Sequence, residues 1–342
     1  MDPVVGIIVG GAVVAGIVAI GPTVKMGLDM APYLYANTRC SARAGLILKK
    51  KDYDQLISSS TIEEAYANLE DTYYSKIIEN VKSGKELSFE LEKDLHNNYL
   101  WLSEIVPKDI KPVFDAINLK FEIADLKNVM NSCLLGKNPK TSYIEEESFR
   151  VRLESCNDLD SFVASLKDTK YEKIATQQID ISYLSNQLDL FYYNHVSETI
   201  RLLKDSSGAQ VFKDYWRKMI DLVNLRLTLR RINGVSNIQA IDGGYIQSKE
   251  LQSITEKVQL ESVLSKSIYK DFIHGTSDLD IENGMFSALR KESSYANAKN
   301  TLKAGTLVKF MIEKEIEIRN LNVLIKLKEE SFSSEEIEKM IV

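Results

Sequence analysis

Apolar residues recur with the spacing of one helix face in three segments that lie at equal distances along the chain. The segments read DLKNV, DLVNL and EIRNL, and their asparagines are Asn128, Asn224 and Asn320. Each of the two intervals is 96 residues long. The residues two before, one after and five after each asparagine are apolar, which predicts one buried stripe on each of three amphipathic helices. Two equal intervals predict an internal repeat.

A second pattern pairs residues 62–77 with residues 159–174 at an interval of 97 residues. Both copies contain L-x-D-T-x-Y-x-K-I, and the first copy opens with Thr61 and Glu64, which have the spacing of a capping box. We cannot align a third copy between residues 258 and 273. Each unit is therefore predicted to contain a short capped helix, a longer helix and the asparagine-bearing helix.

The predicted fold is all-α, because no run shows the sustained alternation of period two that a half-buried strand requires. The repeat divides the chain into residues 1–30, which hold a membrane helix and the start of a linker, and helical units at 31–139, 140–234 and 235–342. Gly136 and Gly234 follow two of the asparagine-bearing helices closely, where we expect a left-handed residue to end the helix.

The start of the chain is unusually apolar, since residues 4–24 contain no charged side chain. That length matches the roughly 20 residues that a helix needs to cross a bilayer. Lys25, Arg39 and Arg43 follow the segment, so the positive-inside rule predicts that the C-terminal body lies on the cytoplasmic side. The alternative is a glycine-rich apolar flap that packs on a partner.

Small residues recur every four positions within this apolar segment. Gly6 and Gly10 have G-x-x-x-G spacing, and Ala12 with Gly16 continues the same interval. Because small residues let helix backbones approach closely in a membrane, we expect these four residues to pack against neighbouring helices.

Composition excludes several classes of function. The chain has 342 residues, a net charge of −6 and ordinary globular hydrophobicity, so no basic excess indicates nucleic-acid binding. Its three cysteines, Cys40, Cys133 and Cys156, are too few and too widely spaced to predict a disulfide framework or a zinc site.

The sequence contains no arrangement of residues that is typical of catalysis. The segment KSGKEL lacks the first glycine and the final Ser or Thr of a phosphate-binding loop. His96, His195 and His274 lie far apart and have no partners at metal-ligand spacing. We therefore predict no catalytic, cofactor-binding or metal-binding residues, no cofactor and no bound nucleotide.

Each repeated asparagine shares a helix face with an acid three residues earlier. One interpretation makes the three asparagines a ring that binds a partner. The interpretation that we favour makes each a half-buried amide that satisfies backbone groups of a loop and fixes the packing of its helix.

The segment YLYANTRCSARAGLILKKKDYDQLISSSTIEEAYANLEDTYY resembles the opening of the C subunit of archaeal A-type ATP synthases, a family related to the d subunit of vacuolar ATPases. Tyr35, Asn37, Arg39 and Arg43 match residues on the first helix of that family. The segment KEIEIRNLNVLIKLKEE, which begins at Lys314, resembles its C-terminal helix. The resemblance covers about residues 31–342.

This resemblance implies three similar helical domains, arranged as a funnel with approximate threefold symmetry and without an active site. It implies a non-catalytic central-stalk subunit whose partners are the shaft and the membrane proteolipid ring during ion-driven ATP synthesis. The expected location is the cytoplasmic side of the cell membrane, with the N-terminal segment inserted. The alternatives are a membrane-anchored helical adaptor unrelated to ATPases and a membrane-tethered all-α enzyme.

Overall fold

The computed structural model describes residues 30–79, 81–174, 180–204 and 208–342, and every regular element in these ranges is helical. The α-helices, in chain order, are α1 (residues 30–44), α2 (Lys50–Ser58), α3 (Ile62–Glu70), α4 (Ser75–Ile78), α5 (Gly84–Ile105), α6 (Lys111–Leu134), α7 (Glu147–Glu154), α8 (Leu159–Ser165), α9 (Ile181–Arg201), α10 (Ala209–Ile232), α11 (Ser248–Ser253), α12 (Lys257–Lys266), α13 (Asp278–Asn300), α14 (Gly305–Glu329) and α15 (Ser334–Met340). Residues Glu172–Ile174 form a 3-10 turn.

Side-chain caps set the start of several helices. Thr61 precedes α3, Ser83 precedes α5 and Ser277 precedes α13, and each hydroxyl accepts a hydrogen bond from the backbone N–H three residues later. Such a cap satisfies one of the N–H groups that the first turn of a helix leaves without an internal partner. The capping box predicted at Thr61 is thus a helix start in the structure.

Left-handed residues end the three asparagine-bearing helices α6, α10 and α14. Gly136 has φ of 60°, Gly234 has φ of 92° and Ser331 has φ of 61°. The prediction of left-handed caps at the two glycines is confirmed. At the third helix the same conformation falls on a serine, for which it is strained because the side chain crowds the backbone.

Six long helices form the body of the molecule as three antiparallel hairpins. Hairpin 1 is α5 with α6, hairpin 2 is α9 with α10, and hairpin 3 is α13 with α14. Across the hairpins, α6 packs on α9 and α10 packs on α13. Since α14 also packs on α5, the six helices form a closed ring.

Helix α1 bridges hairpins 1 and 3 at their turns. The Tyr33 hydroxyl donates to Asp109 (2.9 Å) in the turn between α5 and α6. The Asn37 amide donates to the carbonyls of Thr301 (2.8 Å) and Lys303 (3.0 Å) in the turn between α13 and α14. The asparagine that the family resemblance singled out on this helix therefore has a structural role.

The interior of the ring contains aromatic side chains around one acid. Tyr99, Tyr192 and Tyr215 are buried, and Glu315 of α14 accepts a hydrogen bond from the Tyr99 hydroxyl and pairs with Lys120 of α6. Burial and the nearby Glu315 charge raise the pKa of Tyr99, so that its hydroxyl stays a hydrogen-bond donor. This acid therefore links three helices that belong to two hairpins.

The predicted fold included an N-terminal membrane helix, and this part is corrected. Among the described residues no helix is long and apolar enough to cross a membrane. The physical reason is that the described long helices carry charged and polar side chains along their length, several of them buried. Residues 4–24, with Gly6, Gly10, Ala12 and Gly16, lie outside the described residues.

The caps of α6 and α14 predict opposite effects of two substitutions. Gly136→Ala should lower the free energy of unfolding by about 1–2 kcal/mol, because alanine is strained at positive φ even though no atom lies within 4 Å of the added methyl group. Ser331→Gly should raise the free energy of unfolding by about 1 kcal/mol through relief of the same strain.

Urea unfolding of both variants beside the parent chain measures the two effects. Shifts of equal sign in Gly136→Ala and Ser331→Gly would show that backbone conformation does not govern these positions.

Candidate functional site at the helix junctions

The three contacts between hairpins each contain a buried acid. We name them the first junction (α6 on α9), the second junction (α10 on α13) and the third junction (α14 on α5). Three acids at these junctions are at most 2% exposed, namely Asp125 on α6, Asp221 on α10 and Glu317 on α14. These are the acids that precede the repeated asparagines by three residues, so they are also spaced 96 residues apart.

At the first junction, Asp125 holds the segment that leads out of hairpin 1. One carboxylate oxygen accepts hydrogen bonds from the backbone N–H groups of Ser142 (2.8 Å) and Tyr143 (2.5 Å). Burial raises the pKa of Asp125, while the two backbone donors act in the opposite direction. The contact fixes the chain 17–18 residues beyond the acid, where it passes toward hairpin 2.

At the second junction, Asp221 makes the equivalent contact with the segment after hairpin 2. Its carboxylate accepts hydrogen bonds from the N–H groups of Tyr245 (2.9 Å) and Ile246 (3.1 Å). The hydroxyl of the buried Tyr269 donates to the same carboxylate at 2.6 Å. Burial raises the pKa of Asp221, and the three donors oppose that shift by stabilising the charged form.

At the third junction, the acid reaches from the last long helix to the beginning of the described chain. Glu317 accepts a hydrogen bond from the backbone N–H of Leu48 at 2.6 Å and one from Lys314 at 2.9 Å. The Lys314 ammonium also donates to the Tyr74 hydroxyl (2.8 Å) and pairs with Asp94 of α5 (3.1 Å). This junction therefore closes the ring with a buried ionic network.

These contacts have one physical function. A buried backbone N–H without an acceptor costs roughly 1–3 kcal/mol, and a carboxylate on a rigid helix supplies acceptors of fixed position. Each acid thus fixes the position of the connecting segment whose N–H group it accepts. The arrangement is a device for positioning helices, and it offers no pair of catalytic groups.

The repeated asparagines occupy unlike environments. Asn224 is fully buried and exchanges hydrogen bonds with the backbone of Ile241, as donor to its carbonyl (2.8 Å) and acceptor from its N–H (2.7 Å). Asn320 exchanges the same pair of bonds with Val342, at 2.6 and 3.0 Å. Asn128 is exposed on α6. The structure therefore brings two of the three asparagines to loop backbones.

Sequence reasoning missed the third copy of the short segment. Thr72, Thr169 and Ser267 each lie two residues before a fully buried tyrosine, accept a hydrogen bond from its N–H and donate to the leucine carbonyl three residues earlier. The tyrosines are Tyr74, Tyr171 and Tyr269. A search for L-x-x-[ST]-x-Y could have found the third copy.

The described residues contain no cluster of His, Cys, Asp and Glu that could hold a metal ion. His96 packs between the rings of Phe121 and Tyr143, with centroids 4.7 and 4.9 Å away, and His195 stacks on Phe191. Cys40, Cys133 and Cys156 are buried free thiols, and burial raises the pKa of Cys40 to about 12. These side chains are packing residues.

Comparison with known proteins identifies the family. The sequence profile of the ATP synthase (C/AC39) subunit matches residues 36–340, a range that contains all three acid-bearing helices. The chain belongs to the ATP synthase (C/AC39) subunit family. The C subunit of the A-type ATP synthase of Methanosphaera stadtmanae is 26% identical, over 96% of this chain and 92% of the relative.

Two further archaeal relatives also align with most of this chain. The C subunit of the A-type ATP synthase of Thermococcus kodakarensis is 24% identical over 93% of each chain. The protein of the same name from Methanocaldococcus jannaschii is 22% identical, over 93% of this chain and 88% of the relative.

Membership in the C/AC39 family confirms the resemblance that was drawn from the sequence, and with it the prediction of a non-catalytic subunit of an ATP synthase. The alternatives of an unrelated adaptor and of a tethered enzyme are therefore wrong. Membership in the complex implies its other subunits as partners and suggests membrane association. It does not support the expected N-terminal inserted segment.

The two kinds of asparagine environment predict a matched pair of mutational effects. Asn224→Leu should lower the free energy of unfolding by about 1–3 kcal/mol, because the backbone of Ile241 loses its partners in a buried site. Asn128→Leu should change it by less than about 0.5 kcal/mol, because that side chain is exposed.

Chemical denaturation of the two variants measures the difference, and binding to other subunits of the complex serves as the second readout. If Asn224→Leu unfolds like the parent but loses binding, the residue contacts a partner and the packing interpretation fails.

Proposed function

We propose that this chain is the central-stalk subunit that joins the rotating shaft to the proteolipid ring of the membrane sector. The supporting observation is the third junction, which turns a chain of three hairpins into a closed ring of helices. A part that transmits torque must resist opening and bending under load. A closed ring has no free edge at which adjacent hairpins could separate.

The packing of the interior supports the same function. The aromatic side chains inside the ring are buried, and Glu315 connects helices from hairpins 1 and 3. Closely packed protein interiors have low compressibility, so a displacement at one end is passed to the other with little loss.

The molecule also presents two unlike ends. The turns of hairpins 1 and 3 lie at one end with α1, whereas the short helices α7, α8, α11 and α12 and the left-handed glycine caps belong to the connections between hairpins. Two separate surfaces are what a coupling element between two partners requires. The division of the chain at residues 139 and 234 is part of this proposal, because each proposed unit then supplies one hairpin.

Removal of the subunit tests its place in the complex. Purification from membranes that lack this chain should yield the catalytic head and shaft separated from the proteolipid ring, whereas the wild-type chain should restore their co-purification. Co-purification of head, shaft and ring without the chain would contradict the proposal.

A substitution at the third junction tests coupling in the assembled complex. Glu317→Gln removes the charge that faces Lys314, so we expect ATP-driven ion pumping to fall more than ATP hydrolysis as the ring loosens. The matched control is Glu198→Gln, which alters an exposed pair with Arg201 and should leave both activities unchanged.

Equal losses of pumping and hydrolysis in Glu317→Gln would indicate a general defect of assembly. That result would remove the support that the closed ring gives to a coupling function.

A further inference from the structure

The first junction differs from the other two in what lies beside its buried tyrosine. A cavity of about 560 Å³ opens there between hairpin 1 and the segments around residues 143–149 and 168–171. The corresponding space at the second junction is about 400 Å³, and at the third junction it is about 10 Å³. The three junctions share a buried acid that accepts a backbone N–H, and they differ in the side chains beside it.

At the third junction, a lysine side chain occupies the space that corresponds to the first-junction cavity. Lys314 is 4% exposed, and its ammonium lies 4.6 and 4.7 Å from the ring centroids of Tyr73 and Tyr74. Its hydrogen-bond partners there are the Tyr74 hydroxyl and the carboxylate of Glu317. The fold of this chain thus accommodates a primary ammonium against a junction tyrosine.

The second junction repeats this chemistry with another lysine. Lys218 precedes Lys314 by 96 residues and is 6% exposed. Its ammonium lies 4.9 Å from the ring centroid of Tyr245 and 3.4 Å from the carboxylate of Glu292. Two of the three junctions therefore have a buried lysine three residues before the buried acid.

At the first junction, the residue 96 positions before Lys218 is Glu122. The buried ammonium is replaced by a carboxylate, and the available counter-ion is Lys170, whose half-exposed side chain reaches Glu122 at 2.7 Å. The hydroxyl of the fully buried Tyr171 faces the Glu122 carboxylate, which together with burial raises the pKa of Tyr171. The contact between the two groups does not reach hydrogen-bond geometry. The counterparts of Tyr171, which are Tyr74 and Tyr269, both have partners.

Other polar atoms in the cavity also lack partners. The Tyr143 hydroxyl and the side-chain oxygen of Asn118 are buried without hydrogen bonds among the described residues. Unsatisfied buried polar atoms are rare in native proteins, so these atoms are available to a bound group or to water.

Charge and shape define the class of that group. The exposed acids Glu145, Glu146 and Asp168 line the mouth of the cavity, and none of them forms an ion pair within the described part of the chain. Burial lowers the pKa of His96, which keeps the ring neutral near pH 7. The cavity is therefore acidic and lined by aromatic rings, a combination that attracts organic cations.

We propose that the first-junction cavity binds a primary alkylammonium group in the position that Lys218 and Lys314 fill at the other junctions. A metal ion is a poorer fit, because the described carboxylates do not form a metal-binding cluster. The group comes either from a free polyamine or from a lysine side chain of a neighbouring subunit, and the experiments below distinguish these sources.

The first experiment titrates spermidine into the full chain and follows heat of binding and thermal stability at physiological ionic strength. We expect saturable binding, and at least tenfold weaker binding to Glu145→Gln and Tyr143→Ala. The matched control is Glu292→Gln at the second junction, which should bind like the parent. Spermidine acetylated on both terminal nitrogens, which lacks any primary ammonium group, is the ligand control and should not bind.

A charge exchange provides a variant that fills the site. Glu122→Lys together with Lys170→Glu places an ammonium where Lys218 and Lys314 have theirs. We expect this double variant to remain folded, with unchanged helical circular dichroism, and to lose spermidine binding. If it is folded and binds spermidine like the parent, the ligand occupies another place and the proposal is wrong.

The second experiment examines the source in the assembled complex. A zero-length carbodiimide joins a carboxylate to a lysine in contact with it. A cross-link from Glu145 or Glu146 to a lysine of another subunit, without spermidine binding by the free chain, supports the site with a protein lysine as its occupant. Absence of both spermidine binding and such a cross-link overturns the proposal.

Discussion

A buried carboxylate that accepts backbone N–H groups from a connecting segment is the contact on which the ring of helices depends. Asp125 and Asp221 make this contact at the first two junctions, and Glu317 makes it at the third with the segment that follows α1. Helices alone do not determine how three hairpins are placed, because an amphipathic face tolerates a range of packing angles. A carboxylate that must meet particular N–H groups removes that freedom, since a missed contact leaves buried polar groups unpaired.

Because the acid carries the positioning role, the residue three positions before it is free to vary. Two junctions place a lysine there, where it is buried with acids and tyrosine rings, and the first junction places Glu122. The contact between the buried acid and backbone N–H groups is kept at the first junction despite this inversion of charge, while the surrounding side chains leave a cavity. Equivalent architecture and unequal chemistry can therefore coexist in a repeat protein.

Much of the architecture follows from sequence periodicity, but the choice of the important polar residue does not. The interval of 96 residues marked an acid and an asparagine on one face, and only the acid accepts backbone N–H groups in all three helices. Asn128 is exposed because no loop backbone reaches it, and loop paths are not encoded in helix periodicity. Tyr269 escaped notice because Ser267 replaces threonine and the interval lengthens by one residue.

Formation of the third junction closes a longer loop than formation of the second, so it costs more conformational entropy. The ionic network at the third junction offsets that cost. Glu317 contacts Leu48 across 269 residues, whereas Asp221 contacts Tyr245 across 24. Loop-closure entropy grows by about 0.6 kcal/mol per doubling of length, so the longer closure costs roughly 2 kcal/mol more. The third junction adds a buried lysine with two carboxylates and a tyrosine hydroxyl, and hydrogen bonds to charged groups contribute about 1.5–3 kcal/mol each. The densest ionic network therefore lies where the chain must be closed over its greatest length.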